Sequence, residues 1–218
     1  MARVLIGVPC TEQLPVEFVR CLVALRRNHN LSVMLFPNSL VHAARDQIAQ
    51  AVIEQKFDYL CFIDSDMCFG DGAIDALIED NKDIITGLYF KRKYPYSPVL
   101  YKTIAGKDEE GKGGGAIPYV EYPRNAVFRC EAAGAGILLI RREVLEDVYA
   151  KTGRLFEPFN GLGEDFSFNL RAKECGWEMW CDSRVICGHI GKLIVDERLF
   201  DRLYADVSPE DDGKSEEK

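Results

Sequence analysis

The triplet Asp64-Ser65-Asp66 sets two carboxylates two residues apart, directly after the apolar run Tyr59-Leu60-Cys61-Phe62-Ile63. Side chains at i and i+2 of a strand point to one side, so both acids can face a single ligand. Such a pair suits a hard divalent cation, which takes oxygen ligands and bridges phosphates. The plain alternative is an acidic turn or helix cap ahead of Gly70. A second group is Gly161-Leu162-Gly163-Glu164-Asp165-Phe166. Acids at the start of a helix complement its dipole, which needs no function. The same placement also aims a general base into a cleft, with glycines that let a substrate approach the backbone. The third group is Cys187-Gly188-His189-Ile190-Gly191. A histidine between glycines after a strand is open to a site, and imidazole is a good ligand for manganese or zinc. An ordinary loop histidine is the competing reading.

Two other patterns fail on inspection. Asp64, Asp66 and Asp75 fall at positions 1, 3 and 12 of a calcium loop, but Cys68 and Phe69 stand where that loop needs an oxygen ligand and a glycine. The stretch 106–113 nearly spells a phosphate-binding loop, yet it ends Gly111-Lys112-Gly113, lacks the Ser or Thr, and runs into more glycine. Cys175, Cys181 and Cys187, with His189, lack the close cysteine pair of a structural zinc site and read as small apolar residues.

The elements that must hold these residues alternate. Residues 3–9 read as a buried strand, and Pro15 opens an amphipathic helix to about 27. Strand 31–36 follows, then a helix to about 56 that Ser39 could cap. Strand 59–63 is apolar on both faces, as parallel strands covered by helices are. A short helix 71–79 and strand 84–90 complete an alternating half, which predicts an open α/β sheet, mostly parallel and flanked by helices. Beyond it comes a basic aromatic loop, 91–98, whose Lys91, Arg92 and Lys93 could add positive charge over a ligand. Strands at 99–104 and 117–122, joined by a charged glycine-rich tip, predict a small antiparallel addition. Strand 136–140, helix 142–151, helix 163–174 ending on Gly176 at C′, and strand 177–187 complete the chain. Residues 1–205 read as one domain, with a nucleotide-binding half of about 1–90 and an acceptor half of about 91–205. The acidic tail 206–218 reads as disordered.

The chain has 218 residues, 47% of them hydrophobic, enough for one substantial core. A net charge of -8 disfavours a nucleic-acid partner. No run approaches the roughly 20 apolar residues that span a bilayer, so no integral membrane segment is expected. Eight cysteines without a secretory signal point to reduced thiols and a cytoplasmic location.

The order of the three groups, each at a strand or helix end, resembles the GT-A glycosyltransferases. The match is closest to the inverting family two. The segment Gly176-Trp177 through Cys181-Asp182-Ser183-Arg184-Val185 to Gly188-His189 looks like the retaining polypeptide N-acetylgalactosaminyltransferases. The resemblance, over roughly 3–195, implies a Rossmann-like GT-A fold. It implies a metal-dependent transfer of sugar from a UDP- or GDP-sugar to an acceptor hydroxyl, with acceptor identity open. Asp66 and His189 would hold the metal, manganese or else magnesium, with Asp64 contacting the ribose or the metal's water shell. Asp165 would be the base, supported by Glu164. Pro9, Thr11 and Glu12 fall where the family holds the nucleotide base, and Ser65 and Arg45 would approach the donor. Asp46 departs from the Ala-Arg-Asn pattern that Ala44-Arg45 otherwise follows, and Pro9-Cys10-Thr11-Glu12 departs from Pro-Thr-Tyr-Asn.

Three rivals are weighed. A haloacid-dehalogenase-like phosphatase also sets DxD after a strand, but it would have Thr or Val where Cys68 stands. A sugar nucleotidylyltransferase would need a Gly-x-Gly-x-Arg segment after the first strand. A nucleotide- or sugar-binding module without turnover would not need both Asp165 and His189.

Overall fold

The computed structural model describes residues 1–107, 113–191, 196–198, 200 and 201. The expected acidic tail and residues 108–112 of the expected glycine-rich tip lie outside these residues. In chain order the elements are β1 (Arg3–Cys10), α1 (Val16–Ala24), β2 (Asn30–Pro37), α2 (Val41–Glu54), β3 (Tyr59–Ile63), β4 (Met67–Cys68), α3 (Ala73–Glu79) and β5 (Ile84–Leu88). Then come β6 (Leu100–Lys107), β7 (Gly113–Pro118), β8 (Val127–Cys130), β9 (Ala132–Ala133), β10 (Ile137–Arg141), α4 (Arg142–Thr152), α5 (Glu164–Glu174), β11 (Met179–Ile186) and β12 (Gly188–His189).

The central sheet has 7 strands in the order β2-β1-β3-β10-β5-β11-β8. Strands β1, β2, β3, β5 and β11 run one way, while β10 and β8 run against them. This is the open, mostly parallel α/β sheet expected from the alternation, with the antiparallel β6–β7–β9 sheet as its small addition.

Period-two alternation divides the core. Leu60 and Phe62 of β3, with Leu138 and Ile140 of β10, face the side covered by α2, α4 and α5. Tyr59, Cys61 and Ile63, with Ile137 and Leu139, face the side of α1 and α3. Strands apolar on both faces therefore lie between two helical layers, which is why β3 carries no polar residue. Phe62, Phe156 and Phe168 are fully buried and pack ring on ring. Each contributes about 1.5–3 kcal/mol by leaving water.

The structure adds details that periodicity does not carry. The polarity of β10 is set by its pairing, not by its composition. Strands β8, β9, β4 and β12 are too short or too mixed to show a period. The N-cap of α2 is Leu40, with no side-chain cap bond; Ser39 instead bonds the carbonyl of Leu40. Gly176 follows α5 with a φ of +96°, and its N–H bonds the carbonyl of Lys173, as the C′ reading requires. Among the described residues, no helix is long and apolar enough to cross a membrane.

Candidate functional site

The carboxyl ends of β1, β3, β5 and β11 lie along one edge of the sheet, the edge at which open α/β folds bind ligands. Each of the three sequence groups ends there. The loop after β3 carries Asp64 and Asp66, β12 after β11 carries His189, and the N-terminus of α5 carries Glu164 and Asp165.

A small backbone ladder brings two distant groups together. β4 pairs antiparallel with β12, setting Met67 opposite His189 and Cys68 opposite Gly188. The N–H of Ile190 bonds the carbonyl of Asp66 at 2.7 Å. His189 Nε2 then lies 3.5 Å from Asp66 Oδ2. His189 Nδ1 lies 2.8 Å from the carbonyl oxygen of Phe90. A carbonyl only accepts, so Nδ1 is the donor, and Nε2, once free of a proton, would have its lone pair available to a cation bound beside Asp66. That is the tautomer a metal-binding histidine requires, held by the kind of partner such histidines use. Arg92 Nη1 also lies 2.8 Å from Asp66 Oδ2. Although burial works against it, His189 and Arg92 hold the Asp66 carboxyl below its ordinary pKa.

Asp64 has a different partner. Arg45 rises from α2 into the core with its side chain 3% exposed. Its Nη2 lies 2.8 Å from Asp64 Oδ1 and its Nε 3.4 Å from Glu164 Oε1. Its Nη1 bonds the carbonyl of Ala135 at 3.4 Å, and its guanidinium carbon lies 4.9 Å from the Phe62 ring centroid. Burial would lower the pKa of this guanidinium, but Asp64 and Glu164 hold it above its ordinary value. Burial also raises the Asp64 pKa, with Arg45 pulling against it. Among the described residues, no group of three or more His, Cys, Asp and Glu side chains is arranged to hold a metal ion. Asp66 and His189 bring one carboxylate oxygen and one imidazole nitrogen within 3.5 Å of each other. By its chemistry such a pair would suit a divalent cation whose other positions were filled by water or phosphate.

Asp165 occupies the first turn of α5. Its Oδ1 accepts the N–H of Phe166 at 2.8 Å, and Asn169 fastens its carbonyl to that of Ala133 through Nδ2. Burial, reinforced by Glu164, pushes the Asp165 carboxyl up to about 6, while Phe166 N–H and Arg45 oppose the shift. A carboxylate tuned to that range is suited to take a proton near neutral pH. Beside it, Gly114 and Gly115 of β7 and Asn160, Gly161, Gly163 and Phe166 line an open cleft of about 360 Å³.

Pro9 is the second-last residue of β1 and pairs with Phe36, at the same sheet edge. Thr11 bonds the carbonyl of Gln13, and Glu12 accepts from Asn38 Nδ2 at 3.0 Å, so both lie in an exposed turn. Ser65 is partly buried between the two aspartates. Asp46 accepts the N–H of Phe156 at 2.8 Å. Trp180 lies under Lys82, whose Nζ is 3.9 Å from its ring centroid, and so joins a surface contact.

Tyr89 escaped the sequence reading. Its buried hydroxyl accepts the N–H of Gly136 at 3.0 Å, and its ring meets that of His189 edge-on at 5.7 Å. A Cβ on Gly134 would lie 2.2 Å from this hydroxyl and 3.3 Å from Asp165 Oδ2. The run Ala132-Ala133-Gly134-Ala135-Gly136 is the trace of that close approach in the sequence. The carbonyls of Phe90 and Ala135 left no trace, since any residue supplies one.

The site thus belongs to an open α/β sheet with ligand groups at its carboxyl edge. No family model matches the sequence, and no curated protein matches it. Among solved structures, the chain is similar to the crystal structure of A197 from STIV. The TM-score is 0.62 at 18% identity, over 87% of this chain and 86% of that one. At that identity the likeness shows a shared fold.

Proposed function

We propose that the chain is a metal-dependent glycosyltransferase that moves a sugar from a UDP- or GDP-sugar to an acceptor hydroxyl, with inversion. One observation carries this reading: His189 Nε2, freed by the Phe90 carbonyl, faces Asp66 Oδ2 at 3.5 Å on the sheet edge that also holds Asp165. A divalent cation held by Asp66 and His189 would neutralise charge growing on a diphosphate leaving group. Asp64, fixed by Arg45, would accept from a ribose hydroxyl. Asp165 takes the acceptor's proton, and its raised pKa gives the conjugate acid a stable form in the same pocket. Glu164, held by Arg45, keeps negative charge beside Asp165 and so helps make it basic. The glycine-lined cleft next to α5 is the route for the acceptor. The ion pair of Asp64 with buried Arg45 also weighs against the phosphatase reading, in which the first acid of the triplet would attack as a free nucleophile.

Calorimetry with UDP and with GDP, each with and without Mn2+, tests the reading. Metal-dependent binding of one of them is the expected result. Binding of neither, or binding indifferent to metal, sinks it.

A further inference from the structure

We propose that Arg92 is the resident counter-cation of Asp66, a guanidinium that gives up its carboxylate to a divalent cation and is then available to the donor's diphosphate. This rests on the glycosyltransferase reading above. The oxygen that Arg92 Nη1 meets at 2.8 Å is the same Asp66 Oδ2 that faces His189 Nε2 at 3.5 Å. One carboxylate oxygen is thus shared between a fixed imidazole and a charged side chain. A cation bound to that oxygen at about 2.1 Å brings two further positive charges against the guanidinium. Contact of both with one oxygen is unfavourable, and the weaker partner leaves.

Arg92 is built to leave and Arg45 is not. The Arg92 side chain is 48% exposed, and among the described residues its further bond, to the carbonyl of Ile190, is long at 3.4 Å. The Arg45 side chain is 3% exposed and held by two acids and a carbonyl. Release of Arg92 returns a charge to water, whereas release of Arg45 would strand one in the core.

The turn that carries Arg92 is closed at its base. Lys91 N–H bonds the carbonyl of Ser97 at 2.9 Å, Tyr96 N–H bonds that of Lys93 at 2.8 Å, and Phe90 bridges to Pro98. Rotation of the side chain alone suffices, with no opening of the loop. Phe90, whose carbonyl orients His189, belongs to the same turn, so one segment fixes both the imidazole and the guanidinium. Phosphate oxygens that reach a cation on Asp66 arrive beside the freed fork, whose paired donors match them.

Mn2+ alone, titrated into the full chain and followed by electron paramagnetic resonance, tests the first half. Arg92→Gln is expected to bind Mn2+ about three- to tenfold more tightly than the parent, the effect of removing a partly exposed competing charge. At saturating Mn2+, the tighter-binding of UDP and GDP is expected to bind Arg92→Gln about three- to tenfold more weakly. Equal Mn2+ affinities overturn the inference and leave the metal site standing. Tighter Mn2+ with unchanged nucleotide affinity overturns the hand-over. No Mn2+ binding by either protein overturns the inference together with the glycosyltransferase reading.

Discussion

His189 Nδ1 lies 2.8 Å from the carbonyl oxygen of Phe90, and this contact decides what the other ring nitrogen offers Asp66. The Nδ1 donor goes to the carbonyl, which leaves Nε2 as the ring atom that faces the site. His189→Ala and Asp66→Asn are each expected to weaken Mn2+ binding by tenfold or more, on the order of 10–100-fold for groups of this kind. The double variant is expected to be little worse than either single one, because the two act as a unit. Calorimetric or paramagnetic titration measures this; additive losses would show that the two do not share one ion.

The ion pair of Arg45 with Asp64 is a matter of stability as well as binding. Arg45→Met leaves Asp64 and Glu164 without their shared partner at a partly buried position. The expected loss is about 3 kcal/mol, at the low end for a broken buried pair because Asp64 retains some contact with water. Urea unfolding measures it. Adding Asp64→Asn to Arg45→Met is expected to recover part of the loss, and no recovery would assign the effect to packing against Phe62 instead.

The Asp165 carboxyl makes opposite predictions for stability and activity. Its pKa rises from 3.8 to about 6 on folding, so the folded chain binds this proton more tightly than the unfolded chain. The stabilisation is complete below the unfolded value and is lost as pH rises through about 6, a contribution of roughly 2–3 kcal/mol. Asp165→Asn lacks this dependence. The stability difference between parent and variant is therefore expected to move against the parent between pH 4 and pH 7. Sugar transfer by the parent is expected to rise over the same window as the base ionises, and to fall by at least 100-fold in Asp165→Asn. Thermal melts and rate profiles across pH check the two halves separately. A variant as active as the parent removes Asp165 from the role of base.

Gly134 has no room for a side chain. Gly134→Ala puts a carbon 2.2 Å from the Tyr89 hydroxyl and 2.7 Å from a methyl of Val99. The expected cost is about 1–3 kcal/mol from overpacking. Tyr89→Phe removes the nearer clash, so the pair is expected to be less costly than the sum of the two changes. Chemical denaturation of the four proteins closes the cycle.

The sequence by itself determined the alternation of strands and helices, and with it the open sheet. Apolar runs with no polar position, such as Tyr59 to Ile63, require cover on both faces. It also determined where chemistry could sit, because strand ends and helix starts are local features, and Asp64, Asp66, Glu164, Asp165 and His189 each mark one. Ser39 shows the limit of local reading: its type suited a cap, but the chain enters α2 one residue later.

Only the tertiary structure decided which acid goes with which partner. Asp64 and Asp66 are alike in sequence, yet one is tied to a buried arginine of α2 and the other faces His189 and Arg92. That division follows from the β4–β12 ladder and from the direction in which α2 presents Arg45, both set by long-range pairing. The tautomer of His189 rests on the carbonyl of Phe90, a group every residue has, and the room for Tyr89 rests on missing side chains at Gly134 and Gly136. Residue types can announce a charge or a lone pair. Distances between distant segments, which decide what that charge meets, exist only once the sheet has formed.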